Sequence, residues 1–125
     1  MGSIFDILGP VMVGPSSSHT AGAVRIGQIA RQLFGRQPER AVVYLHGSFA
    51  ATGKGHGTDK ALIAGLLGMK PDDMRIPHSF EIAKEQGMEF VIENKDIKGA
   101  HPNTAQIIMD AEGKKTMKIQ AYSIG

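Results

Sequence analysis

A chain of 125 residues with 42% hydrophobic and 21% charged residues has the length and balance of one folded domain, with a real core and little room for a second. Its net charge of +2 comes from 14 scattered Lys and Arg residues, and its aromatics are two Tyr and five Phe with no Trp, which argues against nucleic-acid binding on both field and stacking surface. No apolar run approaches the roughly 18 to 20 residues of a membrane span, and no basic region precedes an apolar stretch at the N-terminus, so the expectation is a cytoplasmic chain with no membrane partner. The absence of cysteine excludes disulfides and any thiolate-held metal or iron-sulfur cluster in this chain itself.

In chain order, Ser3 to Leu8 gathers Ile4, Phe5, Ile7 and Leu8 around a lone Asp6, a short packed piece in which Asp6 reads as a local cap or turn residue. Gly9-Pro10 and Gly14-Pro15 bracket Val11-Met12-Val13, so the chain is extended here and punctuated by turns. Gly14-Pro15-Ser16-Ser17-Ser18-His19-Thr20 then runs into the first helix. Amide groups at a helix start, helped by the macrodipole, attract a carboxylate or phosphate, and hydroxyls beside them add directed hydrogen bonds. A cap needs only one of Ser18 or Thr20. On residues alone, a plain cap and an anion-binding loop both stand.

From Thr20 to Phe34, Ala23, Ile26, Gly27, Ala30, Leu33 and Phe34 follow helical spacing, with Arg25, Gln28, Arg31 and Gln32 on the other face. Gly35 is the expected stop and Pro38 prevents resumption. Gly22 and Gly27 each cost about 1 kcal/mol of helix propensity against Ala, a cost that close approach to another backbone would explain. Ala41 to His46 reads as a strand covered on both faces. After Phe49-Ala50-Ala51 comes Thr52-Gly53-Lys54-Gly55-His56-Gly57-Thr58-Asp59, opening a helix that continues through Leu67 and that Thr58 or Asp59 can cap. Its glycines let a ligand approach the backbone, and Lys54 supplies a mobile cation. The Gly-Lys pair lacks the spacing of a nucleotide-triphosphate loop. Both loops carry a histidine and an anion-attracting helix start, and two such loops on the same side would converge on one small acid.

Gly68 to Pro77 is a turn-rich connector in which Asp72 and Asp73 read as a solvated turn. His78 to Gln86 is helical and ends at Gly87, and Met88 to Glu93, Thr104 to Asp110 and Thr116 to Ser123 read as three strands, the last two joined closely enough for a hairpin. His46 and His78 read as structural, whereas His19, His56 and His101 lie in loops rich in Gly, Pro or hydroxyl residues, where an imidazole suits proton transfer near neutral pH. His101, in His101-Pro102-Asn103, reads from composition as a turn-capping edge residue. A serine hydrolase lacks its Gly-x-Ser-x-Gly elbow here, and no close-spaced histidine pair supports a zinc site, so no metal ligands are assigned.

Ser3-Ile4-Phe5-Asp6 with Gly14 to Thr20, then Thr52 to Asp59, then His101-Pro102-Asn103 closely resembles the β chain of bacterial iron-sulfur-dependent L-serine dehydratase, in the same order and over nearly the whole chain. The resemblance implies deamination of L-serine to pyruvate and ammonia, with a 4Fe-4S cluster on a partner α chain as Lewis acid. It implies proton transfer by His56, with His19 as the alternative, and substrate positioning by Ser16, Ser17, Ser18, Thr20, Lys54 and Asn103. It further implies that the isolated chain is inactive. Single-chain members resemble Gly-Lys-Gly-His-His-Thr-Asp where Gly57 stands here, so a second histidine's role does not carry over. The implied fold is α+β, a mixed sheet of about four strands with two or three helices, similar to the allosteric substrate-binding domain of D-3-phosphoglycerate dehydrogenase. Residues 1–125 would form that one domain, without the ACT-type regulatory domain that usually follows. Homodimer formation is left open, and the other functional class is a non-catalytic small-anion-binding regulatory or assembly domain.

Overall fold

Alternation along the strands decides the layering. In β2 (Arg40–Leu45), Ala41, Val43 and Leu45 are buried while Val42 and Tyr44 are half-buried. β4 (Thr104–Asp110) buries Ala105, Ile107 and Met109, and β5 (Thr116–Ser123) buries Ile119 and Ala121 on the same face. The computed structural model describes residues 5–52 and 57–125. Its sheet has five strands in the order β1-β5-β4-β2-β3, with β1 spanning Phe5–Val13 and β3 spanning Glu89–Asn94. The outer pairs, β1 with β5 and β2 with β3, are parallel, and the two inner pairs are antiparallel. The expected mixed α+β architecture is present, with a fifth strand. Gly9-Pro10 reads as a break in sequence, yet the strand passes through it with a register shift between Leu8 and Val11. At a sheet edge an irregularity and a missing donor are tolerated, because the outer side has no ladder to complete.

The helices cover one face. α1 (His19–Phe34) begins with Ser18 as N-cap, in extended backbone, its Oγ accepting from the Ala21 N–H at 3.1 Å. It ends at Gly35, whose φ of 95° allows its N–H to close on the Arg31 carbonyl, as Gly35 was expected to do. α3 (Thr58–Leu66) is buried along most of its length and packs chiefly against α1. The two helices cross at glycines: a Cβ on Gly27 would lie 2.8 Å from the Gly65 Cα, and one on Gly65 would collide with the Val24 carbonyl. The propensity lost at Gly27 is therefore the condition for backbone contact, which a side chain would forbid. A Cβ on Gly22 would run into the Ser123 hydroxyl, so the start of α1 likewise rests on the end of β5.

Two further helices complete the layer. α2 (Gly47–Thr52) occupies the segment that the sequence offered only as a link, and it buries Phe49. A single 3-10 turn, Ile76–His78, leads into α4 (Ser79–Glu85), where Phe80 packs on Phe90 of β3 at 4.8 Å between ring centres. Among the described residues the other face of the sheet carries no helix; on it Ile7 is 70% exposed, Met12 54% and Val91 50%. No helix among the described residues is long and apolar enough to cross a membrane.

Candidate functional site

The α1 start, the α3 start and the connection between β3 and β4 lie at one end of the molecule. His19 is the first residue of α1, and its Nε2 lies 2.9 Å from Asn103 Oδ1, across 84 positions of sequence. Beneath it the ring meets the edge of Phe49 from α2, with centroids 5.3 Å apart. Asn103 is held on both sides: its Nδ2 donates to the Ser123 carbonyl at 3.3 Å, and its backbone N–H donates to His101 Nδ1 at 3.0 Å. His101 stacks on Tyr122, 5.1 Å between ring centres. The third, compositionally weakest motif is thus wired directly to the first.

Of the hydroxyls, Ser18 is used as the cap, and Ser16 accepts a long 3.5 Å hydrogen bond from the Ser123 hydroxyl while its N–H donates to the Ile124 carbonyl. Ser17 is exposed, and Thr20 is half-buried. Thr20 lines a hollow of about 370 Å³ with Gly57, Asp59, Lys60, Ile76 and Pro77. Gly57 is the residue before α3, with a φ of 88° that glycine accepts freely, so both helix starts face one cavity. Lys54 and His56 lie outside the described residues.

No side chain caps α3. Thr58, expected as a cap, is buried and shares a 3.2 Å contact with the Thr52 hydroxyl, which in turn donates to the Ser48 carbonyl. Asp59, the other expected cap, accepts from the Lys60 N–H at 2.7 Å and stands on the rim of the hollow. The reason is positional: with Gly57 in the left-handed region, the helix begins one residue earlier than a Thr58 cap requires. A carboxylate and an ammonium, Asp59 and Lys60, therefore border the cavity, a pairing that their reading as helix-start residues did not disclose.

His46 accepts from the Ile97 N–H at 2.9 Å, and His78 faces Glu81 at 3.4 Å. Asp73 takes three hydrogen bonds from Arg75, which lower its pKa to about 2, with the side-chain bond the largest cause. Among the described residues no group of three or more His, Cys, Asp or Glu is arranged to hold a metal ion.

A sequence model of the family described as "Serine dehydratase beta chain" matches residues 3–89. The chain belongs to the serine dehydratase β-chain family. It is 53% identical over 123 residues to a protein of Bacillus subtilis named "Probable L-serine dehydratase, beta chain", covering 98% of this chain and 56% of that one. It is 44% identical over 124 residues to the "L-serine dehydratase, beta chain" of Peptoniphilus asaccharolyticus, with the same two coverages. It is 35% identical over 150 residues to "L-serine dehydratase 2" of Escherichia coli, covering 98% of this chain and 32% of that protein. The chain thus spans little more than half of the β chains it matches.

Proposed function

We propose that this chain supplies half of the substrate site of an L-serine dehydratase, a lyase that converts L-serine to pyruvate and ammonia, and that a separate cytoplasmic α chain supplies the other half. The observation that carries the reading is the meeting of distant motifs: His19 is bonded to Asn103, and Thr20 shares a cavity with Gly57, next to His56 in sequence. A zwitterionic amino acid has the chemistry for such a place. Its carboxylate suits the first amides of α1, where the Ser18 cap satisfies one of the N–H groups that a helix start leaves open, and where Ser16, Ser17 and Thr20 add hydroxyls. Its ammonium suits Asp59, and Lys54 is a further carboxylate partner.

With no cysteine, the chain lacks thiolate ligands for an iron-sulfur cluster, and its residues do not fit that group. A 4Fe-4S cluster that activates the substrate hydroxyl therefore belongs, in this reading, to the α chain. The part left to this chain is binding, orientation and removal of the α-proton, for which His56 and His19 are the candidates. The test is reconstitution with the cluster-bearing partner and assay of pyruvate from L-serine. His56→Ala or His19→Ala should lower turnover about 100- to 10,000-fold, the usual worth of a positioned acid or base. If both retain turnover but lose partner affinity, the histidines only orient loops and the chain is an anion-binding assembly domain.

A further inference from the structure

We infer that Asn103 is a positioning residue that fixes the protonation geometry of His19, so that Nδ1 is the ring nitrogen at which His19 gains and loses its proton. The inference rests on the proposed role of His19 for its functional meaning, while its physical content stands alone. An asparagine amide has one accepting end and one donating end. The Ser123 carbonyl can only accept, so the end of Asn103 facing it is the NH2 group, and the end facing His19 is the oxygen. That oxygen can only accept, so His19 Nε2 carries the hydrogen. The backbone bond from the Asn103 N–H to His101, together with the stacking of His101 on Tyr122, holds the amide in place. Asn103 therefore acts through the imidazole, with each end of its amide engaged within the chain.

This arrangement is indifferent to the charge of the ring. Nε2–H donates to Asn103 both in neutral imidazole and in imidazolium, so the bond survives proton transfer and the exchangeable site is Nδ1. Among the described residues no hydrogen bond is made to Nδ1. The edge contact with Phe49 removes rotational freedom without adding a competing polar partner. Among the described residues, His101 reaches His19 only through Asn103, and Asp59 and Lys60 border the hollow lined by Thr20. A carboxylate in place of the amide would raise the affinity of the ring for a proton.

The decisive measurement needs no variant. A long-range 15N–1H correlation spectrum of the 125-residue chain, above the titration of His19, distinguishes the protonated from the bare ring nitrogen. The expected result is a protonated Nε2 and a bare Nδ1, and the reverse assignment overturns the inference. A second measurement follows the His19 titration midpoint in Asn103→Asp, where a carboxylate replaces the amide oxygen. It should rise by about one pH unit or more, the effect of an opposite charge at hydrogen-bonding distance, and an unchanged midpoint also overturns the inference. Reconstituted turnover is a separate readout: a failed spectrum with intact dependence on His19 discards the tautomer alone, whereas a confirmed spectrum with no such dependence discards the catalytic reading.

Discussion

Ser18 does two things at one position: it closes the first turn of α1 and it fixes the residue after it, His19, at the helix start. Ser18→Ala removes the acceptor for the Ala21 N–H and should cost about 1 kcal/mol, the usual worth of a cap, read as a lower midpoint in chemical denaturation. Ser17→Ala, one residue earlier and exposed, should leave that midpoint within about 0.5 kcal/mol. The contrast matters because the sequence offered Ser18 and Thr20 as equivalent caps; only backbone conformation distinguishes them. Asp73 gives a second prediction at this scale. Its folded pKa of about 2 lies below the ordinary carboxylate value because Arg75 donates to it. A depressed folded pKa means a contribution present above the unfolded value and lost as pH falls from about 4 toward 2. Arg75→Ala should move the Asp73 midpoint, followed by NMR, up toward the ordinary range but short of it, because the backbone N–H of residue 75 still donates to the carboxylate. The pair is exposed, so the consequence for overall stability is small.

Elements were legible where periodicity spoke and obscure where glycine and proline did. α1, β4 and β5 follow from the sequence pattern alone, because helical spacing in the first and short apolar runs bounded by turn residues in the other two leave few alternatives. β1 was read only as an extended piece, since the shift that carries the strand past Gly9-Pro10 depends on pairing with β5, far along the chain. α2 was missed because six residues carry too little pattern to register, and its role, placing Phe49 under His19, is tertiary. The cost of Gly27 was legible, and its partner Gly65 was not. That crossing makes a signed prediction. At an exposed helix site Gly→Ala stabilises by about 1 kcal/mol, but at Gly27 the new methyl group would strike Leu62 and Gly65. Gly27→Ala should instead destabilise by about 1–3 kcal/mol through overpacking, visible as a lower Tm. A rise would show that α1 and α3 do not meet backbone to backbone.

For the molecule as a whole, one consequence of the architecture is asymmetry: among the described residues, four helices stand on one face of the sheet and none on the other. The candidate site sits where that helical layer ends, so its histidine and hydroxyls are held by helix starts, by the end of β5 and by the loop entering β4, with the core behind them. The motifs were legible in sequence as three separate loops. Their convergence was not, because Asn103 meets His19 only once β5 lies beside both β1 and β4. The same asymmetry predicts how the two faces answer to truncation. Ile107, in the central strand, is fully buried under the helices, whereas Ile7 on the opposite face is 70% exposed. Ile107→Ala removes buried methyl groups and leaves a cavity that close-packed neighbours cannot fill, so it should cost about 2–5 kcal/mol. Ile7→Ala removes surface already in water and should cost within about 0.5 kcal/mol. Equilibrium denaturation of both variants measures the difference directly, since neither touches the site. A large loss at Ile7 would mean that this face is covered in solution, and the one-sided layer would then be only part of the folded assembly.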